Sequence, residues 1–336
     1  MVPFGVKWIS VSWHWMRKVV DYVLGEFEID GFHLESADQG RCLCPSCSHL
    51  GDVEYHCTLN RRTAEHVRSR WPGKTLMVNM CGFMRPQRKA TDDELPFLLD
   101  LGRHIDFLID PGHHGCFIPD QWRREFCSQL ACAFGTSGGT WVYPPQGWDR
   151  LRWFLPHPTQ ICEYYRALYE QGARASESYL GPVINPGVEI NLAVCGLAQC
   201  DVDRDGRQIL SEVVASLYRP ADAAVLEQLV ELFLRAERAY FDHWTPVPPP
   251  PSDWIGEIHL KPLAGETLGP VSYLSDNCWG GVLMDAGGRA AYRRRVLDIL
   301  DEIPTIRGKL DDDGRLGRIE TCLRNVLTDI ESFEST

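Results

Sequence analysis

Short apolar runs alternate with amphipathic helices at intervals of roughly 30 residues, and this constrains the chain more than any other feature. Such alternation buries strands in a parallel sheet beneath covering helices. Between Met16 and Glu28, the residues Val19, Val20, Val23, Leu24 and Phe27 recur at three- and four-residue spacing, which predicts a helix. A short buried strand follows at Gly31 to Leu34. The same reading pairs a helix at Leu59 to Trp71 with a strand at Lys74 to Met80, and a helix at Asp93 to Arg103 with a strand at Ile105 to Asp110. It then pairs a helix at Asp120 to Leu130 with a strand at Gly139 to Tyr143, and one at Thr159 to Gly172 with a strand at Val183 to Asn185.

A doubly wound sheet and a barrel both produce this pattern. No G-x-G-x-x-G follows any of the strands and no Walker sequence is present, so the dinucleotide and phosphate-loop versions lose their main support. Polar and aromatic residues instead gather where the strands end, the place where barrel enzymes assemble their sites. The expectation is therefore an α/β fold of the (β/α)8 TIM-barrel type. Even with Val6 to Val11 counted as a strand, only about six of the eight strands are visible, so the barrel is expected to lack its first strands. The absent ones would precede Met1.

Beyond Asp201 the pattern turns helical, at Gln208 to Leu217 and Ala223 to Trp244, and again at Ala290 to Ile303 and Leu316 to Phe333. Pro246 and Pro248 to Pro251 mark a stiff linker. The expected organisation is a partial barrel over residues 1–200, a helical region packed on it over 201–245, a Pro-rich linker and loop segment over 246–289, and C-terminal helices over 290–336.

The chain of 336 residues carries 34 Lys+Arg against 46 Asp+Glu, a net charge of −12. That balance repels a phosphate backbone, which argues against nucleic acid as a partner. No run reaches the roughly 18 uncharged apolar residues of a membrane span. Met1 to Trp15 has no cleavable apolar core, so the chain as written reads as cytoplasmic, and as secreted or periplasmic if its N-terminus is truncated. Most of the 13 cysteines stand singly in apolar runs, as reduced packing thiols do.

The richest stretch is DGFHLESADQGRCLCPSC, residues 30–47. Glu35 falls just past a buried strand beside His33, with Asp38 three residues on. A carboxyl group in such a position can be desolvated into a general acid, or can simply be solvated in a loop. Cys42, Cys44 and Cys47 form C-x-C-x2-C, and Cys57 or a histidine would complete four ligands for a structural zinc ion; reduced cysteines packing a loop are the alternative. Asp110 ends another strand ahead of His113 and His114, groups able to bind sugar hydroxyls. Asn79 ends the strand between them, and His33, Asn79 and the later Glu189 are expected substrate contacts. Trp141, Tyr143 and Trp148 offer faces for stacking on a sugar ring. Glu189, in INPGVEIN, stands where a later strand would end, although Asn185 and Pro186 also read as a helix N-terminus. No G-x-S-x-G elbow and no H-E-x-x-H helix occurs.

The stretch DGFHLESADQGRCLCPSC resembles the strand and cysteine-rich loop of barrel glycosidases related to endo-acting β-N-acetylglucosaminidases and, more distantly, hexosaminidases and α-glucuronidases. Asn60 to Asn79 is similar to their next helix and strand. INPGVEINLAVCGLAQCDVDRDGRQILSEVVASLYRPADAAVLEQLVELF is similar to the passage from their barrel into a helical domain. The likeness spans Asp21 to Trp244. It implies glycoside hydrolysis of a carbohydrate substrate, with Glu35 as general acid/base, Asp38 or Asp110 as its partner, and no cofactor required for catalysis. Hexosaminidases carry adjacent Asp-Glu at this strand end, whereas here Glu35 lies between Leu34 and Ser36. A non-catalytic carbohydrate-binding or assembly protein, and a zinc-binding structural protein, stand as the alternatives.

Overall fold

The computed structural model describes residues 6–35, 41–42, 44–45, 47–80, 90–110, 120–137, 153–170, 172–177, 184–241, 286–311 and 314–335. The chain opens on helix α1 (Val6–Glu26) and then alternates strand and helix: β1 (Gly31–Glu35), α2 (Asp52–Arg70), β2 (Thr75–Asn79), α3 (Leu95–Gly102), β3 (Phe107–Asp110), α4 (Asp120–Gln129), β4 (Ala133–Ser137), α5 (Pro158–Glu170), β5 (Ala173–Glu177). Helices α6 (Pro186–Cys200), α7 (Gly206–Tyr218), α8 (Ala223–Phe241), α9 (Ala286–Ile306) and α10 (Gly314–Glu334) follow. The α/β class is as expected. The five strands are parallel and lie in chain order, β1 to β5.

The sheet is strongly curled. In a flat sheet β1 and β5 would stand roughly 19 Å apart, beyond the joint reach of a histidine and a glutamate. Yet His33 Nε2 on β1 lies 3.8 Å from a carboxylate oxygen of Glu177 on β5, and Asn79 on β2 also touches Glu177. Strands β3 and β5, which are not neighbours in the sheet, approach each other as well. Among the described residues β1 and β5 are not hydrogen-bonded to each other, so no closed barrel is formed there.

Small side chains on the concave face permit the curl. A Cβ on Gly135 would fall 2.3 Å from Ile109 Cδ1 and 3.0 Å from the Ala175 carbonyl oxygen, so β4 has room for glycine alone between its neighbours. On the convex side Leu34, Leu76, Val78, Leu108 and Phe134 are buried in the core shared with the helices. Helix α2 shows how that side is built. Val53, Cys57, Asn60, Ala64 and Val67 repeat at three- and four-residue spacing and are all buried. Asp52 and Glu54 in its first turn, with Arg68 and Arg70 in its last, complement the helix dipole.

The expectation of a strand at Val6 to Val11 is corrected, since those residues are the first turns of α1. The strand after α4 is Ala133–Ser137; Gly139 to Tyr143 lies outside the described residues. Ala173–Glu177 supplies a strand that the apolar pattern does not announce. Ile184 and Asn185 form the turn into α6, where the Asn185 side chain accepts a 2.9 Å bond from Gly187 N–H and Pro186 opens the helix. Helix α9 begins at Ala286, inside the segment expected to be linker and loop; residues 242–285 lie outside the described residues.

One core runs from α1 to α10. Helix α8 is buried on nearly every side, by Val225, Leu229, Val230, Leu232, Phe233, Leu234, Ala236, Ala239 and Tyr240. Its buried Glu237 accepts bonds from Thr159 N–H, Gln160 N–H and the Thr159 hydroxyl, and so satisfies the N-terminus of α5. The buried Trp153 indole donates a 2.7 Å bond to Asp329 on α10. Among the described residues no helix is long and apolar enough to cross a membrane.

Filling the space at Gly135 tests the curl. Gly135→Val is expected to destabilise the fold by about 1–3 kcal/mol, the usual cost of overpacking, read from the midpoint of urea unfolding. An unchanged midpoint would mean that the concave face is looser than these contacts require.

Candidate functional site

The concave face converges on Glu177. The register runs from Glu35 through Asn79, Ile109 and Gly135 to Ala175, so Glu177 stands two residues farther along β5, on the same face and at the strand's C-terminal end. Because strand side chains alternate, His33 and Glu35 share a face while Leu34 points into the helix-covered core. Asn79 is fully buried, and its amide Nδ2–H donates a 2.5 Å bond to Glu177 Oε2. One ring nitrogen of His33 and one carboxylate oxygen each of Glu35 and Glu177 lie within 4.8 Å of one another. Two carboxyl groups, an imidazole and an amide thus meet at the ends of three strands.

Their environments differ. The Glu177 side chain retains only 19% of its exposure, whereas Glu35 is exposed. Burial pushes the Glu177 carboxyl above the usual carboxylate range. The nearby Glu35 charge adds to this, while His33 and the Asn79 bond oppose it. Such an environment lets a carboxyl group keep its proton to higher pH than an ordinary carboxylate does.

Glu177 is the residue that sequence reasoning missed. The short strand ARASE lacks the apolar run by which the others were found. Asn79, expected as a substrate contact, donates its amide N–H to Glu177. Glu189 is gripped by the Arg315 guanidinium at 2.8, 3.1 and 3.2 Å and ties α6 to α10. Asp110 closes β3, its backbone in register with Thr136, and its side chain lies outside the described set. Asp38, His113, His114, Trp141, Tyr143 and Trp148 lie outside the described residues altogether.

The cysteine loop forms a second group between β1 and α2. The sulfurs of Cys42, Cys44 and Cys47 lie within 4.8 Å of one another. Cys47 is completely buried beside Tyr55, in a small apolar cluster of its own. Burial and the two neighbouring sulfurs push its thiol up to about 12. Cys57 does not join them, because it faces the main core from α2. The expectation of Cys57 as fourth ligand is corrected accordingly.

The part assigned to Glu189 has a direct check. Glu189→Gln is expected to lower stability by about 1–3 kcal/mol, through loss of charged hydrogen bonds, and to leave ligand affinity unaltered. Urea unfolding and a sugar-binding titration separate the two effects; a loss of affinity without a loss of stability would return Glu189 to the site.

No family model and no curated protein matches this chain.

Proposed function

We propose that the curled sheet is a wall of a (β/α)8-type barrel and that the protein cleaves glycosidic bonds in an oligosaccharide or glycan. Glu177 and Glu35 are the paired carboxyl groups of this reading. The observation that carries it is their approach to within 4.8 Å at the C-terminal ends of parallel strands, where barrel enzymes place their chemistry. The likeness of residues 30–47 to barrel glycosidases points the same way.

The separation favours one stereochemical course. Retaining glycosidases hold their carboxyl groups about 5–5.5 Å apart, while inverting ones need about 6.5–9.5 Å to admit a water molecule. Close approach here fits retention. Glu177, the half-buried group whose proton is held above the usual range, protonates the glycosidic oxygen as that bond breaks. The Glu35 carboxylate attacks the anomeric carbon from the other face to give a glycosyl ester. Glu177, now ionised, then takes a proton from the water that opens the ester, which restores both groups. Asn79 fixes the Glu177 rotamer, and no cofactor enters these steps. The acid role therefore passes from Glu35, which is exposed, to Glu177.

The exposure of Glu35 also favours a second reading, carbohydrate binding without turnover. Hydrolysis of a panel of aryl glycosides and glycans decides between them. Glu177→Gln is expected to lower kcat about 10²–10⁴-fold, the usual contribution of a general acid, with the larger loss for poor leaving groups. Equal rates for Glu177→Gln and the unaltered protein would overturn the assignment. Saturable sugar binding with no turnover by the unaltered protein would establish the second reading. Activity lost to a chelator and restored by a divalent cation would assign His33, Glu35 and Glu177 to a metal instead.

The pH profile supplies a further check. Activity requires protonated Glu177, so it falls as pH rises through a value above the ordinary carboxylate range. Asn79→Ala removes a donor that favours the charged form and is expected to move this alkaline limb to higher pH. An unmoved limb would show that Glu177 is not the titrating acid.

A further inference from the structure

We propose that Cys42, Cys44 and Cys47 form a three-thiolate site for one zinc ion, separate from the carboxyl pair. At a zinc–sulfur distance of about 2.3 Å, tetrahedral geometry puts bound sulfurs about 3.8 Å apart. The three sulfurs already lie within 4.8 Å of one another, so a contraction of roughly 1 Å closes them on a metal. A disulfide between any two would leave the third sulfur over, and none of the three is in a disulfide.

The backbone is built around the same three residues. Cys47 N–H and Ser48 N–H both donate to the Cys44 carbonyl, at 2.8 and 2.9 Å, and Leu50 N–H donates to that of Cys47. These bonds bring Cys47 back beside Cys44. Arg41 closes the other side. Its Nη1 donates to the carbonyls of Cys42 and Cys47, at 3.3 and 3.1 Å, and its Nε to Asp52 in the first turn of α2, at 2.6 Å. With only 12% of its side chain exposed, Arg41 is committed to this loop.

Charge completes the fit. Three thiolates around Zn²⁺ carry one net negative charge, and the Arg41 guanidinium, which also pairs with Asp52, lies against the same loop. An all-sulfur donor set selects a soft or borderline ion and not magnesium or calcium. No fourth histidine, cysteine or carboxylate among the described residues joins the three sulfurs. A stretch whose own apolar cluster is no larger than Cys47 and Tyr55, with Cys44, Leu50 and Leu59 at its margin, gains from a metal what it lacks in packing.

The test is a metal count followed by a thiolate count on the full chain. Protein isolated under reducing conditions without chelator is expected to hold one zinc per chain by plasma mass spectrometry. The apoprotein is expected to take up one equivalent of Co²⁺, with tetrahedral d–d bands and a sulfur-to-cobalt charge-transfer band. Cys42 is exposed, so Cys42→Ser should keep the native circular dichroism spectrum while weakening the charge-transfer band by about a third, in line with one ligand of three. Arg41→Gln, which alters only the surroundings of the ligands, should weaken cobalt affinity about 10–100-fold. Cys57→Ser should leave both counts unchanged. The proposal is overturned if neither zinc nor a charge-transfer band is found. It is equally overturned if Cys42→Ser leaves the band intact, or if Cys57→Ser diminishes it as much.

Discussion

The contact of Glu177 with Asn79 and His33 is the constraint on which the described architecture turns. It joins the fifth strand to the second and the first, and no flat parallel sheet can make it. A carboxyl group drawn into a concave face gives up solvation and must recover it from fixed donors. The Asn79 amide does so from a fully buried position, on the strand next to β1. Gly135, Ala133 and Ala175 supply the clearance. Curl, clearance and the carboxyl pair are therefore one feature seen at three scales.

The legibility of the strands follows the same division. GFHLE, TLMVN and FLID each carry the large apolar residues that face the helices, so β1, β2 and β3 could be placed from sequence to within about two residues. AFGTS and ARASE do not read as strands, since alanine, glycine and serine have low strand propensity. Those small residues are what the tight inner radius demands, and the property that makes β4 and β5 hard to see makes the curl possible. Helix spacing was the available signal. A helix ending near Glu170 leads, after a typical connection of about 2–6 residues, to a strand beginning near Ala173, with Glu177 at its end. At the N-terminus the error ran the other way: VKWISV alternates as a strand would, but it lies in a 21-residue helix whose later turns pack on α2.

Long-range pairing accounts for the misread site residues. Glu189 has the marks of a functional carboxylate in sequence, being acidic, flanked by asparagines and close to an expected strand end. Its partner, Arg315, lies 126 residues away, and local sequence gives no hint of it. The same holds for Trp153 and Asp329, 176 residues apart. By contrast Asn185 and Pro186 specify a helix N-terminus within three residues, and the cap forms as read. The cysteine loop falls between these cases. Its three close-set thiols are legible as a group, but whether Cys57 belongs to them depends on which face of α2 it occupies, and that face is the main core.

Two carboxyl groups this close need unlike surroundings if they are to act differently. Symmetric burial would raise both, and symmetric exposure would leave neither with a reason to keep its proton. Burial breaks the symmetry, since Glu177 is enclosed and Glu35 is exposed. Asn79 stands beside Glu35 in register yet turns its amide to Glu177, so one carboxyl group is enclosed and held while its neighbour stays open to solvent. The negative charge of Glu35 then acts on Glu177 alone in a useful sense, helping burial to keep the proton there. The difference between the two glutamates thus does not come from their sequence settings. It comes from the burial of Glu177 at the end of β5, which the Asn79 bond only partly offsets.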